Sequence, residues 1–206
     1  MPAPPTDLAS LLAVPGVVEV CELRSSFGFM AFHGGSLEEV TDVVAERASV
    51  AAGASYYGVL HPPDLDHHLT STRFDPAQSP ALAAFLDHVD VVVTVHGYGR
   101  VDLWTSLLAG GSNRDLAAHL SAHLGPALPD YVVVTDLDAM PRGLRGLHPT
   151  NPVNRPRRGG VQLELPPRVR GRSPLSPPPG ADGLSPPTRA LIDGLAAAAL
   201  TWSPAG

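Results

Sequence analysis

Lysine is absent from this chain of 206 residues, cysteine occurs once, and only six of the 20 acidic residues are glutamate. Each shortage excludes something. Cys21 has no partner for an internal disulfide, and with no Cys-x-x-Cys pair there is no thiolate metal site, so a metal here would need histidine and carboxylate ligands. All 14 basic residues are arginine, beside abundant Ala, Gly and Pro; this reads as a codon-composition bias and lowers the functional weight of any arginine cluster. Scarce glutamate works the other way, because each of the six can be weighed as a candidate on its own. The formal net charge of -6 supplies no global field toward nucleic acid or anionic lipid, so neither is expected as a partner. No apolar run approaches the roughly 18 residues of a membrane span, and residues 1–18 carry no basic segment ahead of their short apolar stretch. A cytoplasmic protein is expected. Internal repeats, heptads and a Gly-rich phosphate loop of the usual length are missing too.

What is present suits a globular chain: 44% of residues are hydrophobic and 17% charged, enough apolar material for a sizeable core. Residues 1–206 fit one domain, and a monomer is expected. Apolar runs at 17–23 and 27–32, split by the turn signal Arg24-Ser25-Ser26, predict adjacent strands. From Leu37 onward Val40, Val43, Val44, Ala48 and Ala51 recur at helical spacing, and Ser36 with Glu39 fits a capping box at the start. Further strands are predicted at 56–60, 89–95, 131–135 and 161–165, and helices at 80–86, 112–124 and 188–201. The almost unbroken β-branched run 89–95 has the pattern of a central strand buried on both faces, and 131–135 reads as the same type. Six prolines among residues 172–187 make that segment a surface connector. Alternating strands and helices give an α/β layered fold.

Two stretches repeat one design. In Phe29-Met30-Ala31-Phe32-His33-Gly34-Gly35-Ser36-Leu37-Glu38 an apolar strand runs into His-Gly-Gly and then a helix start carrying Glu; in Val91-Val92-Val93-Thr94-Val95-His96-Gly97 a second strand ends on His-Gly. Strand-end histidines can meet at one sheet edge, and two glycines let the backbone turn tightly enough to bring a carboxylate to the same point. His33, Glu38 and His96 thus offer two nitrogens and one carboxylate, the ligand set of a catalytic zinc with an open position for water. Glu39 competes with Glu38 but has the capping role to fill. A lone strand-end histidine is ordinarily satisfied by backbone; the pairing, with a Glu nearby and no thiolate alternative, favours the metal. Zinc suits this set, which other first-row metals also accept. Glu164 has the best claim among the remaining glutamates to take a proton from metal-bound water, because alternation places Gln162 and Glu164 opposite Val161, Leu163 and Leu165. Cys21 has no base beside it and reads as a buried strand residue.

These motifs, in this order, resemble the poly-γ-glutamate hydrolase family. The resemblance runs from about Gly28 to Arg170: His33-Gly-Gly-Ser-Leu-Glu38, then His68-Leu-Thr-Ser71 with Phe74-Asp75, then Val95-His96-Gly97, then Gly110-Gly111, and finally Gly159-Gly-Val-Gln-Leu-Glu164 with Arg168 or Arg170. Any one motif is weak; five in sequence are specific. Ser36 stands where the family often has a third glycine, and the proline-rich tail lies outside the match.

The resemblance implies a zinc-carboxypeptidase-like fold, three-layer αβα around a central mixed sheet, in a single catalytic domain. It implies a zinc amidohydrolase of γ-glutamyl bonds, with Zn2+ held by His33, Glu38 and His96, and Glu164 as general base. The implied substrate is an anionic γ-glutamyl polymer or peptide, which calls for an arginine near the metal to hold a carboxylate or a developing oxyanion. Arg73, inside the matched region, is the first choice. His68 and Ser71 are expected to touch substrate; Arg155, with Arg157 and Arg158, precedes the Glu164 strand and is placed either to line the mouth of a cleft or on a solvated surface, and Arg155 is carried as a substrate-binding candidate. Asn113-Arg114 looks like a carboxylate-binding pair but follows the second metal histidine, and is set aside. Two alternatives stay open: a related zinc hydrolase of small N-acyl amino acids or peptidoglycan-type peptides, and a metal-dependent binding protein without turnover.

Overall fold

The computed structural model describes residues 4–203. Seven strands, β1 (Val18–Glu22), β2 (Ser25–Gly35), β3 (Ala54–His61), β4 (Val91–Gly97), β5 (Ser106–Ala109), β6 (Val132–Val134) and β7 (Gly160–Leu165), form one mixed sheet in the order β1-β3-β2-β4-β7-β5-β6. The helices are α1 (Leu8–Leu12), α2 (Thr41–Ala52), α3 (Pro80–His88), α4 (Arg114–Ala127) and α5 (Pro186–Thr201). Side chains of α2, α4 and α5 share one core with Val91, Val93 and Val95, while α1 and α3 share the other with Val92. The sheet therefore has helices on both faces, as the α/β three-layer reading predicts. Among the described residues no helix is long and apolar enough to cross a membrane.

The valine run of β4 holds the middle of the sheet, with every residue before Gly97 buried. Full burial of one such side chain contributes about 1.5 kcal/mol or more, so a strand covered on both faces leaves little room for polar residues until its end. Strand β4 pairs in parallel with β2 on one side and β7 on the other. Parallel pairing brings the C-terminal ends of all three to one edge. That edge carries His33, His96 and Glu164.

Three local readings need correction. Strands β1 and β2 are not neighbours, because β3 lies between them. The Arg24 turn crosses the start of β3, where the Arg24 amide donates to Ser55 Oγ at 2.8 Å and its Nη1 to the Ala54 carbonyl at 2.9 Å. Helix α2 begins at Thr41, and no capping box forms: Ser36 Oγ donates instead to the carbonyls of His61 and Pro62, at 3.2 and 2.7 Å. Its N-cap is Val40, left-handed at φ 77, a conformation that strains a β-branched residue by about 1–2 kcal/mol. Strand β6 is an edge, with Val132 exposed; a valine run does not by itself separate edge from centre. Helix α1 and the four-residue β5 carry too little periodicity to be read at all.

Candidate metal centre

His33 owes its position to a break in regular pairing. The β2–β3 register shifts between Ala31 and Gly34, so successive residues Phe32 and His33 both lie against Phe74, with ring centroids 4.4 and 5.8 Å away. Strict alternation would send them to opposite faces. After His33 the chain turns back at once: the Glu38 amide donates to the His33 carbonyl at 2.8 Å, and Gly35, at φ 71, passes so close to His61 that a Cβ would meet its carbonyl oxygen at 2.4 Å. Glu38 thus reaches the site from a tight turn, ahead of the helix rather than inside its first turn.

Ligand atoms of His33, Glu38 and His96 all lie within 4.8 Å of one another. His33 Nδ1 is 2.9 Å from Glu38 Oε1, and His96 Nδ1 is 3.3 Å from Glu38 Oε2. In a tetrahedral zinc site with bonds of roughly 2.0–2.1 Å, neighbouring ligand atoms stand about 3.3 Å apart. The second imidazole nitrogens are occupied elsewhere. His33 Nε2 donates to the Leu69 carbonyl at 2.8 Å, and His96 Nε2 lies 3.4 Å from Ser71 Oγ. With its proton committed to Leu69, His33 Nδ1 is a bare lone pair, buried and without a hydrogen-bond partner, aimed at a carboxylate oxygen. Two acceptors facing each other at that distance fit a cation between them, so the residues present fit a metal.

The electrostatics agree. Burial drives His33 toward the neutral imidazole, more strongly than Glu38 can favour its charge. Burial also resists ionisation of Glu38, but the three imidazoles around it, His33 foremost with His68 and His96, outweigh it and hold the carboxyl well below its ordinary range. At His96 burial opposes the charged form, yet Glu38 and then Glu164 outweigh it and raise the imidazole. A cation at this point would displace that proton. Glu38 Oε2 also accepts the Gly97 amide at 2.8 Å, which ties the carboxylate to the end of β4.

A cavity of about 340 Å³ opens over these groups. Glu164, beside His96 in the β4–β7 register, lines it and is buried. Burial pushes its carboxyl up, partly offset by His96 and reinforced by the charge of Glu38. A carboxyl tuned upward beside a metal-type cluster can accept and return a proton. His68 and Ser71 also line the cavity, and His68 Nε2 lies 3.5 Å from Glu38 Oε1.

Other residues singled out by the sequence end up elsewhere. Arg73 is exposed and outside the cavity: its short 3-10 turn, Ser71–Arg73, gives Ser71 and Thr72 to the wall, while the Arg73 charge acts on Asp7. Arg155 is exposed as well, following a turn, Pro152–Asn154, whose inward residues are Pro152 and Val153. Arg157 pairs with Asp90. Glu39 pairs with Arg172 Nε at 2.9 Å, which leaves Glu38 as the carboxylate in the cluster. Asn113 caps α4, and Arg114 is spent on the carbonyls of Ala109, Gly111 and Thr135. The arginine that does line the cavity is Arg142, with His148 from the same loop; no periodicity marked either. Gln162 and Asn151 line it too, and Gln162 was legible through its alternation with Glu164.

The family model for poly-gamma-glutamate hydrolase matches residues 15–172. The chain belongs to the poly-γ-glutamate hydrolase family. Members of that family are hydrolases, and the fold agrees. A structure of a bacteriophage poly-gamma-glutamate hydrolase superposes with a TM-score of 0.70 at 22% identity, covering 88% of this chain and 87% of that one. YNDL, solved in a zinc-free apo form, gives a TM-score of 0.60 at 26% identity, over 73% of this chain and 71% of that one. The gene product Atu2144 from Agrobacterium tumefaciens follows at 0.51 and 11% identity, over 89% and 94%. No curated protein sequence matches this family member significantly.

Proposed function

We propose that this poly-γ-glutamate hydrolase family member is a zinc-dependent amidohydrolase of γ-glutamyl bonds, with His33, Glu38 and His96 as metal ligands and Glu164 as the proton-handling group. One observation carries the reading: a buried lone pair, a carboxylate and a second imidazole face one point beside a buried glutamate in the same cavity. Zinc is the ion chosen because two imidazoles and a carboxylate suit it and because YNDL is described in a zinc-free form. When bound, zinc supplies Lewis acidity, acidifying a water and polarising a carbonyl.

The chain's own residues do the rest. Glu164 Oε1 accepts from Gln162 Nε2 at 2.8 Å, so Oε2 is the oxygen that takes a proton from the attacking water and returns it to the leaving nitrogen. Ser71, against His96 Nε2, keeps His96 Nδ1 turned to the cluster. Arg142 gives the cavity wall, which His68 and His148 also line, a positive charge suited to an anionic substrate, in the carboxylate-holding role expected of Arg73.

The test is metal analysis of wild type beside His33→Ala and His96→Ala, followed by hydrolysis assays on a γ-glutamyl polymer, on short γ-glutamyl peptides and on N-acyl amino acids. Stoichiometric zinc in the wild type alone, with release of γ-glutamyl products, is the expected result. Cleavage confined to N-acyl amino acids gives the site to a different substrate. Zinc bound with no turnover on any substrate makes the chain a binding protein.

A further inference from the structure

Behind Glu164 runs a chain of buried amides that the proton transfer itself does not use. Asn151 Nδ2 donates to Gln162 Oε1 at 2.7 Å, and Gln162 Nε2 donates to Glu164 Oε1 at 2.8 Å. All three side chains are nearly sealed from solvent, at 3%, 6% and 4% exposure. The direction of the chain is fixed by the backbone: Asn151 Oδ1 accepts the Val153 amide at 3.2 Å. A main-chain N–H cannot reverse, so Asn151 must turn its NH2 to Gln162. Gln162 must then turn its oxygen to Asn151 and its NH2 to Glu164. Gly146, at φ 64, packs so tightly on Gln162 that a Cβ would lie 2.7 Å from the Gln162 Cβ and 2.8 Å from Oε1, which confines the side chain to this place.

We infer that Gln162 is a positioning residue for Glu164, held by Asn151 in the one amide orientation that offers the carboxylate a donor. The inference rests on the proposed role of Glu164. With Oε1 held by Gln162, Oε2 is the oxygen left for the proton transfer in the cavity that Glu164 lines. Asn151 belongs to the segment that also brings Arg142 and His148 to the cavity wall, so the same bonds tie that wall to the proton-handling group. The wall is pinned a second time by Asn154, whose Nδ2 donates to the carbonyls of Gly146 and His148 at 2.8 and 3.1 Å.

The test compares Gln162→Leu, Asn151→Leu and Asn151→Asp as zinc-loaded proteins on a γ-glutamyl substrate. Gln162→Leu should lower kcat about 10- to 100-fold, with KM and zinc content within about twofold of wild type. Asn151→Asp, nearly the same shape as the native residue, removes the donor and draws the Gln162 NH2 toward the new carboxylate, which leaves oxygen facing Glu164. It should therefore lower kcat at least as far as Asn151→Leu, whereas a packing role alone makes the isosteric variant the milder one. A wild-type kcat in Gln162→Leu or in Asn151→Asp overturns the inference. If the wild type cleaves no γ-glutamyl substrate, the functional reading fails separately, and the Gln162 side-chain amide protons decide the remainder. Slow solvent exchange that becomes fast in Asn151→Leu supports the fixed orientation; exchange as fast as in a free amide refutes it.

Discussion

The guanidinium of Arg170 lies across the backbone of Gly97, where a Cβ would meet Arg170 Cζ at 2.8 Å. Arg170 Nη1 donates to the Glu39 carbonyl at 2.9 Å, and the Gly97 amide donates to Glu38 Oε2 at 2.8 Å, so both ends of this contact hold the turn that delivers Glu38. That turn is strained at Val40 and has no helix cap of its own. These outside bonds add to the turn's own Glu38 amide–His33 carbonyl bond in keeping its shape.

Gly97→Ala should therefore weaken metal retention without dismantling the sheet. The methyl group displaces Arg170, the Glu39 carbonyl loses its donor, and Glu38 gains freedom to leave the cluster. A loss of about tenfold in zinc affinity is expected, the scale seen when partners behind a metal ligand are removed. Competition with a chromophoric chelator measures it. Zinc affinity equal to wild type would show that the turn is held without Arg170.

Glu164→Gln separates the metal from the proton. The substituted amide keeps the size of the native side chain but cannot carry a proton away from water, so kcat should fall by about 10²-fold or more while zinc stays bound. Zinc content and steady-state kinetics on one preparation check both halves. Retained turnover would move the base to another residue.

The candidate His/Glu cluster and the sheet edge were legible because a strand buried on both faces is an unbroken apolar run, and the polar residue that ends it has to lie at the edge of the sheet. That logic finds His96 at the end of β4, His33 at the end of β2 and, through alternation, Glu164 with Gln162 on β7. It fails for residues whose position depends on loops. Arg73 and Ser71 sit two apart on one 3-10 turn and point to different surroundings, a difference set by three backbone torsion pairs rather than by any periodicity. Arg142 and Asn151 reach the cavity from a segment without regular repeats, fixed from outside by Gly111 and Gln162 and from within by Asn154. The late start of α2 was hidden for a related reason: the pattern that looks like a cap at Ser36 is used to fasten the turn to His61 and Pro62.

His61 gives a pH dependence to the fold itself. It is buried against β2, its Nε2 donates to the Phe32 carbonyl at 3.2 Å, and its Nδ1 has no partner. Burial, with the nearby His33 ring adding to it, pushes the imidazole from 6.5 down to about 4. Between those values the unfolded chain binds a proton that the folded chain refuses. Stability of the metal-free protein should thus fall as pH drops from about 6.5 to 4, by up to roughly 3 kcal/mol from this group. Urea denaturation across that range, repeated with His61→Gln, isolates the contribution; an unchanged slope in the variant would assign the loss to other groups.

Arg142 and Arg73 make opposite predictions, because only the first lines the cavity. If the cationic wall holds a substrate carboxylate, Arg142→Ala should raise KM for a γ-glutamyl substrate about tenfold, the effect of losing one charge-assisted hydrogen bond at a solvent-accessible position. The change in kcat should be smaller, since the bond is made in the ground state and the transition state alike. Arg73→Ala, exposed and outside the cavity, should leave both constants near wild type. A substrate whose α-carboxylates are esterified sharpens the comparison: it should be bound equally weakly by wild type and Arg142→Ala, because the partner of the guanidinium is gone in both. Should Arg73→Ala instead carry the KM effect, the substrate runs along the outer rim of the 70–73 turn and the assignment of the carboxylate-binding arginine reverts to the residue expected from the sequence.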